Sequence, residues 1–182
     1  MDEKTLVEAC LNGDYRAQKK LYQLYAPQMM GICMRYSSCV ADAEDILQEG
    51  FIKVYHHLDS FAGKGALGGW IRRIMINIAL QRFRENRSMQ LVRLEDFDIH
   101  RREVSDDVLS QMHADELIAI LQRLPIGFRT IFNLYAIEGF KHHEIAEQLG
   151  ISEGTSKSQY SRSKVILREM IEKDYKLSEK AI

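Results

Sequence analysis

Apolar residues recur at three- and four-residue spacing along most of this chain, which is the period of an amphipathic helix. They predict helices at about 3–11, 15–36, 41–58 and 70–87, and again at about 106–124, 125–139, 142–149 and 153–171. The apolar face expected for the second helix consists of Leu21, Leu24, Tyr25, Ile32 and Tyr36. The face expected for the third consists of Ile46, Leu47, Phe51, Val54 and Leu58. No stretch sustains the two-residue alternation of a half-buried strand. The stretch FAGKGALGG, at 61–69, contains four glycines and predicts a loop. We therefore expect an all-α fold.

Helical periodicity fades between about Ser88 and Ser105, where charged residues become frequent. We interpret this segment as a linker, because few of its side chains could be buried. The helical blocks on its two sides are each near the lower size limit for an independent core. The expected organisation is two small helical domains, at 1–88 and 112–182, joined by a linker at 89–111.

The 182 residues carry a formal net charge of −1, so the overall charge does not indicate a nucleic-acid binder. The distribution of charge is more informative. Acidic residues cluster at 42–49 and 95–116, and basic residues cluster at 72–87 and 157–168. Alternating acidic and basic blocks favour a protein that binds both a protein partner and a polyanion.

Cysteine usage and the N-terminal sequence favour a cytoplasmic protein. Cys10, Cys33 and Cys39 are odd in number and lack zinc-ligand spacing, so we expect buried free thiols in a reducing compartment and no zinc site. No P-loop or dinucleotide fingerprint occurs, and we expect no cofactor. The acidic N-terminal sequence MDEKTLVEAC has no long apolar run. It therefore predicts no signal peptide, and no later stretch predicts membrane insertion.

The helix predicted at 70–87 has two different faces. One is an apolar stripe, formed by Ile71, Ile74, Met75 and Ile78. The neighbouring stripe mixes an aromatic ring, two guanidinium groups and two amides, from Trp70, Arg73, Asn77, Gln81 and Arg84. An indole can stack on a base, a guanidinium can bind phosphate and an amide can read a base edge, so this stripe suits nucleic acid. A lone tryptophan at a helix start is more often a partly buried anchor than a platform for stacking bases.

The segment HHEIAEQLGISEGTSKSQYSRSK, at 142–164, predicts a helix-turn-helix. Gly150 can take the left-handed conformation that ends the first helix. Ser152 can cap the second helix, whose first turn, with Glu153 and Thr155, leaves N–H groups for a phosphate. The exposed side of that helix would enter a major groove with Lys157, Ser158, Gln159, Arg162 and Lys164. A helical hairpin with a solvated basic face is the alternative.

One position departs from the usual pattern of this motif. Ser156 lies where such motifs usually place a branched apolar residue. The serine could loosen the packing, or its hydroxyl could bond back to the preceding turn. Because Ser163 is also polar, we expect the second helix to depend on Tyr160 and Leu167 to hold its position.

Three segments stand in order along the chain: DAEDILQEGFIKVYHHLDSF, then WIRRIMINIALQRFRENR, then the helix-turn-helix. Together they resemble a bacterial RNA polymerase sigma factor of the extracytoplasmic-function (ECF) group, over about residues 15–87 and 112–170. The resemblance implies a protein that binds core RNA polymerase and promoter DNA, and that directs promoter recognition, DNA opening and transcription initiation. It implies no catalytic residue and no cofactor, because the polymerase carries out the phosphodiester chemistry.

The resemblance also implies roles by position. The helix that docks on the clamp coiled coil of polymerase corresponds to Asp42, Asp45, Gln48, Glu49 and Phe51. The helix and loop that read the minus-ten element correspond to Lys64, Trp70, Arg73, Asn77, Gln81 and Arg84. The reader of the minus-thirty-five element corresponds to Ser152, Glu153, Thr155, Lys157, Ser158, Gln159, Arg162 and Lys164. The linker matches a segment that threads toward the RNA exit path. An anti-sigma factor, commonly the cytosolic part of a membrane protein, is a further expected partner.

Three alternative interpretations stay open at this point. The acidic helix start near Asp42 could be a solvated surface that favours the helix dipole. A helix-turn-helix regulator that dimerises on palindromic DNA would need no contact with polymerase. A zinc site at 142–147 would need a second histidine where Glu147 stands, so a metalloenzyme is not favoured.

Overall fold

The computed structural model describes residues 2–85 and 114–179. Every regular element in these two ranges is helical, which confirms the predicted all-α fold. The chain divides into two compact units, Met1–Arg82 and Phe83–Ile182. The linker predicted at 89–111 lies outside the described residues.

Within residues 2–85, the elements follow the predicted order closely. They are α1 (Glu3–Leu11), α2 (Tyr15–Tyr36), α3 (Val40–His56), a 3-10 turn (Leu58–Ser60) and α4 (Leu67–Glu85). Helix α2 stays continuous through Pro27. Helix α4 begins at Leu67 rather than at Trp70, so Gly68 and Gly69 belong to its first turn. The glycine-rich loop is therefore shorter than predicted.

The apolar face predicted for α3 is confirmed, because all five of its residues are buried in the core of the N-terminal unit. They are Ile46, Leu47, Phe51, Val54 and Leu58. In α4, Ile71, Met75 and Ile78 are buried, and Ile74 is half-buried. The face predicted for α2 is wrong at Leu24, which is 59% exposed. Leu21, Ile32 and Tyr36 are buried as predicted, and Met29 is buried as well, because α2 is oriented to pack against α3.

Helices α3 and α4 approach closely at Gly50. A Cβ atom added there would overlap the Sδ atom of Met75, and the Cδ1 atom of Ile78 would lie at 3.7 Å. Met75 is completely buried, so its thioether fills the space that the glycine leaves open. The absence of a side chain at Gly50 thus sets the distance between the two helices that carry the predicted polymerase and minus-ten residues.

The second unit contains four α-helices within residues 114–179. They are α5 (Ala114–Gln122), α6 (Ile126–Phe132), α7 (His142–Leu149) and α8 (Glu153–Glu179), with a π-helical turn (Asn133–Ile137) after α6. Helix α8 continues beyond the predicted end at Ile171. One core cluster joins α5, α6 and α8, and its buried members are Ile120, Leu121, Leu124, Phe128, Phe132, Ile166 and Leu167.

None of the helices within the described ranges is long and apolar enough to cross a membrane.

Candidate partner and nucleic-acid interfaces

The acidic face of α3 lies on the surface of the N-terminal unit. Asp42, Asp45 and Gln48 are exposed, and Glu49 is half-buried. Phe51 is a correction to the predicted docking set, because only 3% of it is exposed. Its ring packs 4.6 Å from the ring of Tyr22, so it holds α3 against α2 and has no surface to offer a partner.

An open groove runs between α2 and α3 beside this acidic face. Both apolar and polar side chains line it, from Tyr22, Gln23, Ala26, Pro27, Met30, Glu44, Leu47 and Gln48. Tyr22 is 40% exposed, and Met30 is half-buried. An apolar strip bordered by Glu44 and Gln48 suits a helix that presents apolar and basic side chains together.

Arg82 of α4 joins the two functional helices through ion pairs. Its Nη2 atom lies 3.1 Å from Oε2 of Glu49, and its Nη1 atom lies 3.9 Å from Oδ2 of Asp45. Lys53 lies 2.9 Å from the other oxygen of Glu49. Hydrogen bonds from Lys53 and then Arg82 hold the pKa of Glu49 below its usual value. Glu49 is therefore ionised at neutral pH and already engaged within the protein.

The polar stripe of α4 faces solvent as its spacing predicted. Arg73, Asn77, Gln81 and Arg84 are exposed. Trp70 is half-buried, and its ring centroid lies 5.7 Å from that of Phe61 in a tilted arrangement. The structure thus favours the interpretation of Trp70 as an anchor for the start of α4, with part of the indole still accessible.

The loop before α4 presents Lys64 between two glycines in left-handed conformations. Gly63 has φ +67° and Gly65 has φ +90°. An added Cβ at either glycine would meet no atom within 4 Å, so backbone conformation rather than space requires glycine there. The exposed Lys64 is therefore carried on a tight, open loop that another backbone could approach closely.

The helix-turn-helix forms at the predicted residues. Gly150 has φ 62° and caps α7 in the left-handed conformation. The Oγ atom of Ser152 accepts a hydrogen bond from the Thr155 backbone N–H at 2.9 Å, which caps α8. Ile145, Ala146 and Leu149 are buried behind the turn.

The outer face of α8 carries the predicted minus-thirty-five residues. Ser152, Glu153, Lys157, Ser158 and Arg162 are exposed, whereas Thr155, Gln159 and Lys164 are half-buried. The Nζ atom of Lys157 lies 2.7 Å from the Glu153 carboxylate, and the Nζ atom of Lys164 lies 5.1 Å from the centre of the Tyr160 ring. The face thus mixes hydroxyl, amide and cationic groups, which is suitable for base edges and phosphates.

The hydroxyl of Ser156 does not bond back to the preceding turn. Ser156 is completely buried, and its Oγ atom lies 2.9 Å from Nδ1 of His142 in α7. Ser163 does bond back along its own helix, since its Oγ donates to the Tyr160 carbonyl at 2.7 Å. As predicted, Tyr160 is partly buried against the core cluster, and Leu167 belongs to that cluster.

Sequence reasoning missed three residues that organise these surfaces: Arg82, His142 and Glu3. Arg82 follows Ile78 by one helical turn, so its place beside the apolar stripe could have revealed that it faces α3. The local sequence around His142 suggests only a zinc ligand, at the unfavoured site at 142–147. Glu3 contacts the start of α4, and no local pattern points to a partner so far along the chain.

Comparison with known proteins defines the class of this chain. Residues 21–89 match the family described as Sigma-70 region 2, and residues 114–167 match the family described as Sigma-70, region 4. The chain is 32% identical over 184 residues to the ECF RNA polymerase sigma-E factor of Haemophilus influenzae, covering 94% of each. It is 28% identical over 179 residues to the ECF RNA polymerase sigma factor SigW of Bacillus subtilis, covering 92% of this chain and 96% of that protein.

Among solved structures, CnrH in complex with the cytosolic domain of CnrY has the same fold. The TM-score is 0.50 with 22% sequence identity, over 94% of this chain and 98% of that chain.

The two family matches occur in the order of a sigma-70-type transcription initiation factor. The chain belongs to the ECF group of these factors, since a relative in that group is 32% identical to it over nearly the whole length of both. It is a sigma factor that binds core RNA polymerase and directs promoter recognition, DNA opening and transcription initiation. A regulator that needs no polymerase contact does not account for the match of residues 21–89.

Proposed function

We propose that the two units of this sigma factor divide promoter recognition between them. Residues 1–88 hold the polymerase clamp and the unpaired minus-ten strand, and residues 112–182 hold the minus-thirty-five element as duplex. The observation that carries this proposal is that α3 and α4 each present an exposed polar face and contact each other closely through Gly50 and Met75. One rigid unit can thus hold polymerase and DNA at a fixed separation.

The proposed clamp contact uses the acidic face of α3 and the groove beside it. Asp42, Asp45 and Gln48 are exposed and would meet basic and polar groups on a helical partner. The exposed part of Tyr22 and the half-buried Met30 would meet its apolar side chains. Glu49 supports this face indirectly, because its carboxylate is engaged with Lys53 and Arg82.

The proposed minus-ten contact uses the stripe of α4 and the loop that carries Lys64. Extruding a base from the duplex costs a few kcal/mol, so contacts to the opened strand must offset that cost. Arg73 and Arg84 would bind phosphates, and Asn77 and Gln81 would read base edges. Lys64 would bind the phosphate of a base held over the open loop, and Trp70 would mainly support α4.

The proposed minus-thirty-five contact uses the N-terminal half of α8. Ser152, Glu153 and Thr155 place the first turn of the helix, with its N–H groups, near a phosphate. The remaining side chains would enter the major groove and contact bases and phosphates: Lys157, Ser158, Gln159, Arg162 and Lys164. We further propose that the linker at 89–111 threads toward the RNA exit path, as the resemblance implies.

Phosphodiester chemistry stays with the polymerase, so no side chain of this chain is assigned a catalytic role. The net charge of −1 favours weak DNA affinity for the free protein, with useful affinity arising when polymerase tethers both units. CnrH, which shares the fold, forms a complex with the cytosolic domain of another protein. We propose an anti-sigma factor as a comparable regulatory partner here.

Run-off transcription with purified core polymerase on a randomised promoter library tests this function. We expect transcripts from one set of promoters that share two separated sequence elements, and none from core polymerase alone. Gel filtration should show the chain eluting together with core polymerase. Elution apart from core polymerase, or transcripts that share only one element, would contradict the division of recognition between the units.

A further inference from the structure

Ser156 makes a directional hydrogen bond at a position where a helix-turn-helix usually makes an apolar contact. Its hydroxyl is completely buried and lies 2.9 Å from Nδ1 of His142. His142 is the first residue of α7, and Ser156 lies in the first turns of α8. The hydrogen bond therefore links the start of the supporting helix to the part of the recognition helix that faces DNA.

The ring of His142 is itself held in an aromatic stack. It lies 4.2 Å from the ring of Tyr135 with an interplanar angle of 13°. Tyr135 lies 4.5 Å from Tyr160, and Tyr160 lies 6.0 Å from Phe132 of the core cluster. Four elements, α6, the π-helical turn, α7 and α8, thus contribute rings to one aromatic cluster that fixes the position of the imidazole.

A hydrogen bond restrains orientation more narrowly than an apolar contact, because it weakens steeply when donor and acceptor turn away from each other. Leaving a buried hydroxyl without its partner also destabilises the folded protein. The pair thus favours one rotation of α8 about its axis. That rotation decides whether Gln159 and Arg162 point at base edges or at the phosphate backbone.

We propose that His142 and Ser156 are paired positioning residues that set the orientation of α8, and thereby the selectivity of this sigma factor for its minus-thirty-five element. The inference rests on the proposed role of α8 as the reader of that element. Neither residue needs to touch DNA, since the effect passes through the backbone of α8 to the side chains that do.

The test uses holoenzyme assembled from the full chain and core polymerase, with the minus-thirty-five element selected from the library. The readout is the ratio of its affinities for duplex carrying that element and for duplex with one base pair changed. We expect His142→Phe and Ser156→Val each to lower this ratio about fivefold. The double variant should lose no more than either single variant, about fivefold, because both substitutions remove the same hydrogen bond.

His142→Asn separates the hydrogen bond from the stack. An asparagine amide can replace Nδ1 as a partner for Ser156 but cannot stack as the imidazole does. We expect this variant to keep more selectivity than His142→Phe, which keeps a ring and loses the hydrogen bond. The inference would be overturned if the losses of selectivity in the two single variants multiplied in the double variant. It would also be overturned if the affinity ratio stayed unchanged while affinity fell equally for both duplexes.

Arg162→Ala distinguishes a failure of this inference from a failure of the proposed function. If Arg162→Ala abolishes discrimination while the His142 and Ser156 variants retain it, the positioning role is wrong and the role of α8 stands. If Arg162→Ala also leaves discrimination unchanged, the assignment of α8 as the reader fails, and the inference fails with it.

Discussion

Glu3 binds the start of α4 across 64 residues of sequence. Its Oε1 atom accepts a hydrogen bond from the Leu67 backbone N–H at 3.1 Å, and its Oε2 atom accepts one from the Tyr25 hydroxyl at 3.1 Å. The first turn of α4 contains no acidic residue of its own. A side chain from α1 therefore serves as the N-terminal cap of the proposed minus-ten helix.

Removing this cap should destabilise the N-terminal unit. We expect Glu3→Ala to lower its free energy of unfolding by about 1 kcal/mol, the usual effect of losing a helix cap. Glu3→Gln should lose less stability, because an amide oxygen can still accept a hydrogen bond from the Leu67 backbone N–H. Urea unfolding followed by the fluorescence of the single tryptophan, Trp70, measures both variants. Equal losses would show that the hydrogen bond to Leu67 contributes nothing.

Gly50→Ala should destabilise the same unit by about 1–3 kcal/mol, because the new methyl group overlaps the buried Met75 side chain. Gly31→Ala is the matched control. Gly31 lies within α2, and an added Cβ there would meet no atom within 4 Å, so alanine should stabilise the helix by about 0.5–1 kcal/mol. Thermal unfolding followed through Trp70 should move in opposite directions for the two variants. A shift in the same direction would mean that α3 and α4 do not approach as closely at Gly50 as described.

The stability of the helix-turn-helix should depend on pH through His142. Burial, and then the positive charge of Lys157, lower the pKa of His142 below its usual 6.5, and Glu153 opposes that shift. The rings of Tyr135 and Tyr160 and the hydroxyl of Ser156 complete its surroundings. A histidine with a lowered pKa in the fold takes up protons more readily when unfolded. Its contribution is therefore full above about pH 6.5 and is lost as pH falls through the folded-state pKa.

Amide hydrogen exchange of residues 142–164, corrected for intrinsic rates, measures this effect in the full chain. We expect protection to fall between about pH 7 and pH 5, and to fall less in His142→Asn, which does not titrate. If protection depended on pH equally in both proteins, His142 would not be the source of that dependence.

Charge reversal on α3 should weaken the contact with polymerase. Asp45 is largely exposed, with 66% of its side chain accessible. We expect Asp45→Lys to lower affinity for core polymerase about tenfold at low salt and less at high salt, because screening weakens exposed charges. Glu8→Lys makes the same change of charge on α1, where the side chain is 61% exposed. Anisotropy titrations that show equal losses for both variants would indicate an effect of net charge alone.

The sequence predicts those features of this fold that repeat along a helix. Apolar spacing placed α1, α2 and α7 at their observed bounds and identified the buried face of α3. Leu24 was placed wrongly because the apolar positions of a long helix allow more than one orientation toward its neighbour. The buried Arg129, which is 2% exposed, shows the same limit, since local pattern does not reveal how deeply a polar residue is enclosed.

The candidate site was predictable where it consists of side chains on one helix face. Arg73, Asn77 and Gln81 share a face because of their spacing alone. Contacts between distant elements were not predictable, and these include Arg82 with Glu49 and His142 with Ser156. Such pairs depend on how helices cross, which is decided by packing at points such as Gly50. Phe51 was predicted both for the apolar face of α3 and for the docking surface, and only the first is confirmed, because a phenylalanine suits either a core or a docking face.

Binding of holoenzyme to two separate DNA probes tests most directly whether α4 and α8 read different parts of the promoter. One probe is a duplex that contains only the selected minus-thirty-five element, and the other is the unpaired non-template strand of the minus-ten element. We expect Asn77→Ala to lose about tenfold in affinity for the single strand and nothing for the duplex, and Arg162→Ala to show the reverse. If either variant lost affinity equally for both probes, the two helices would not have separate targets.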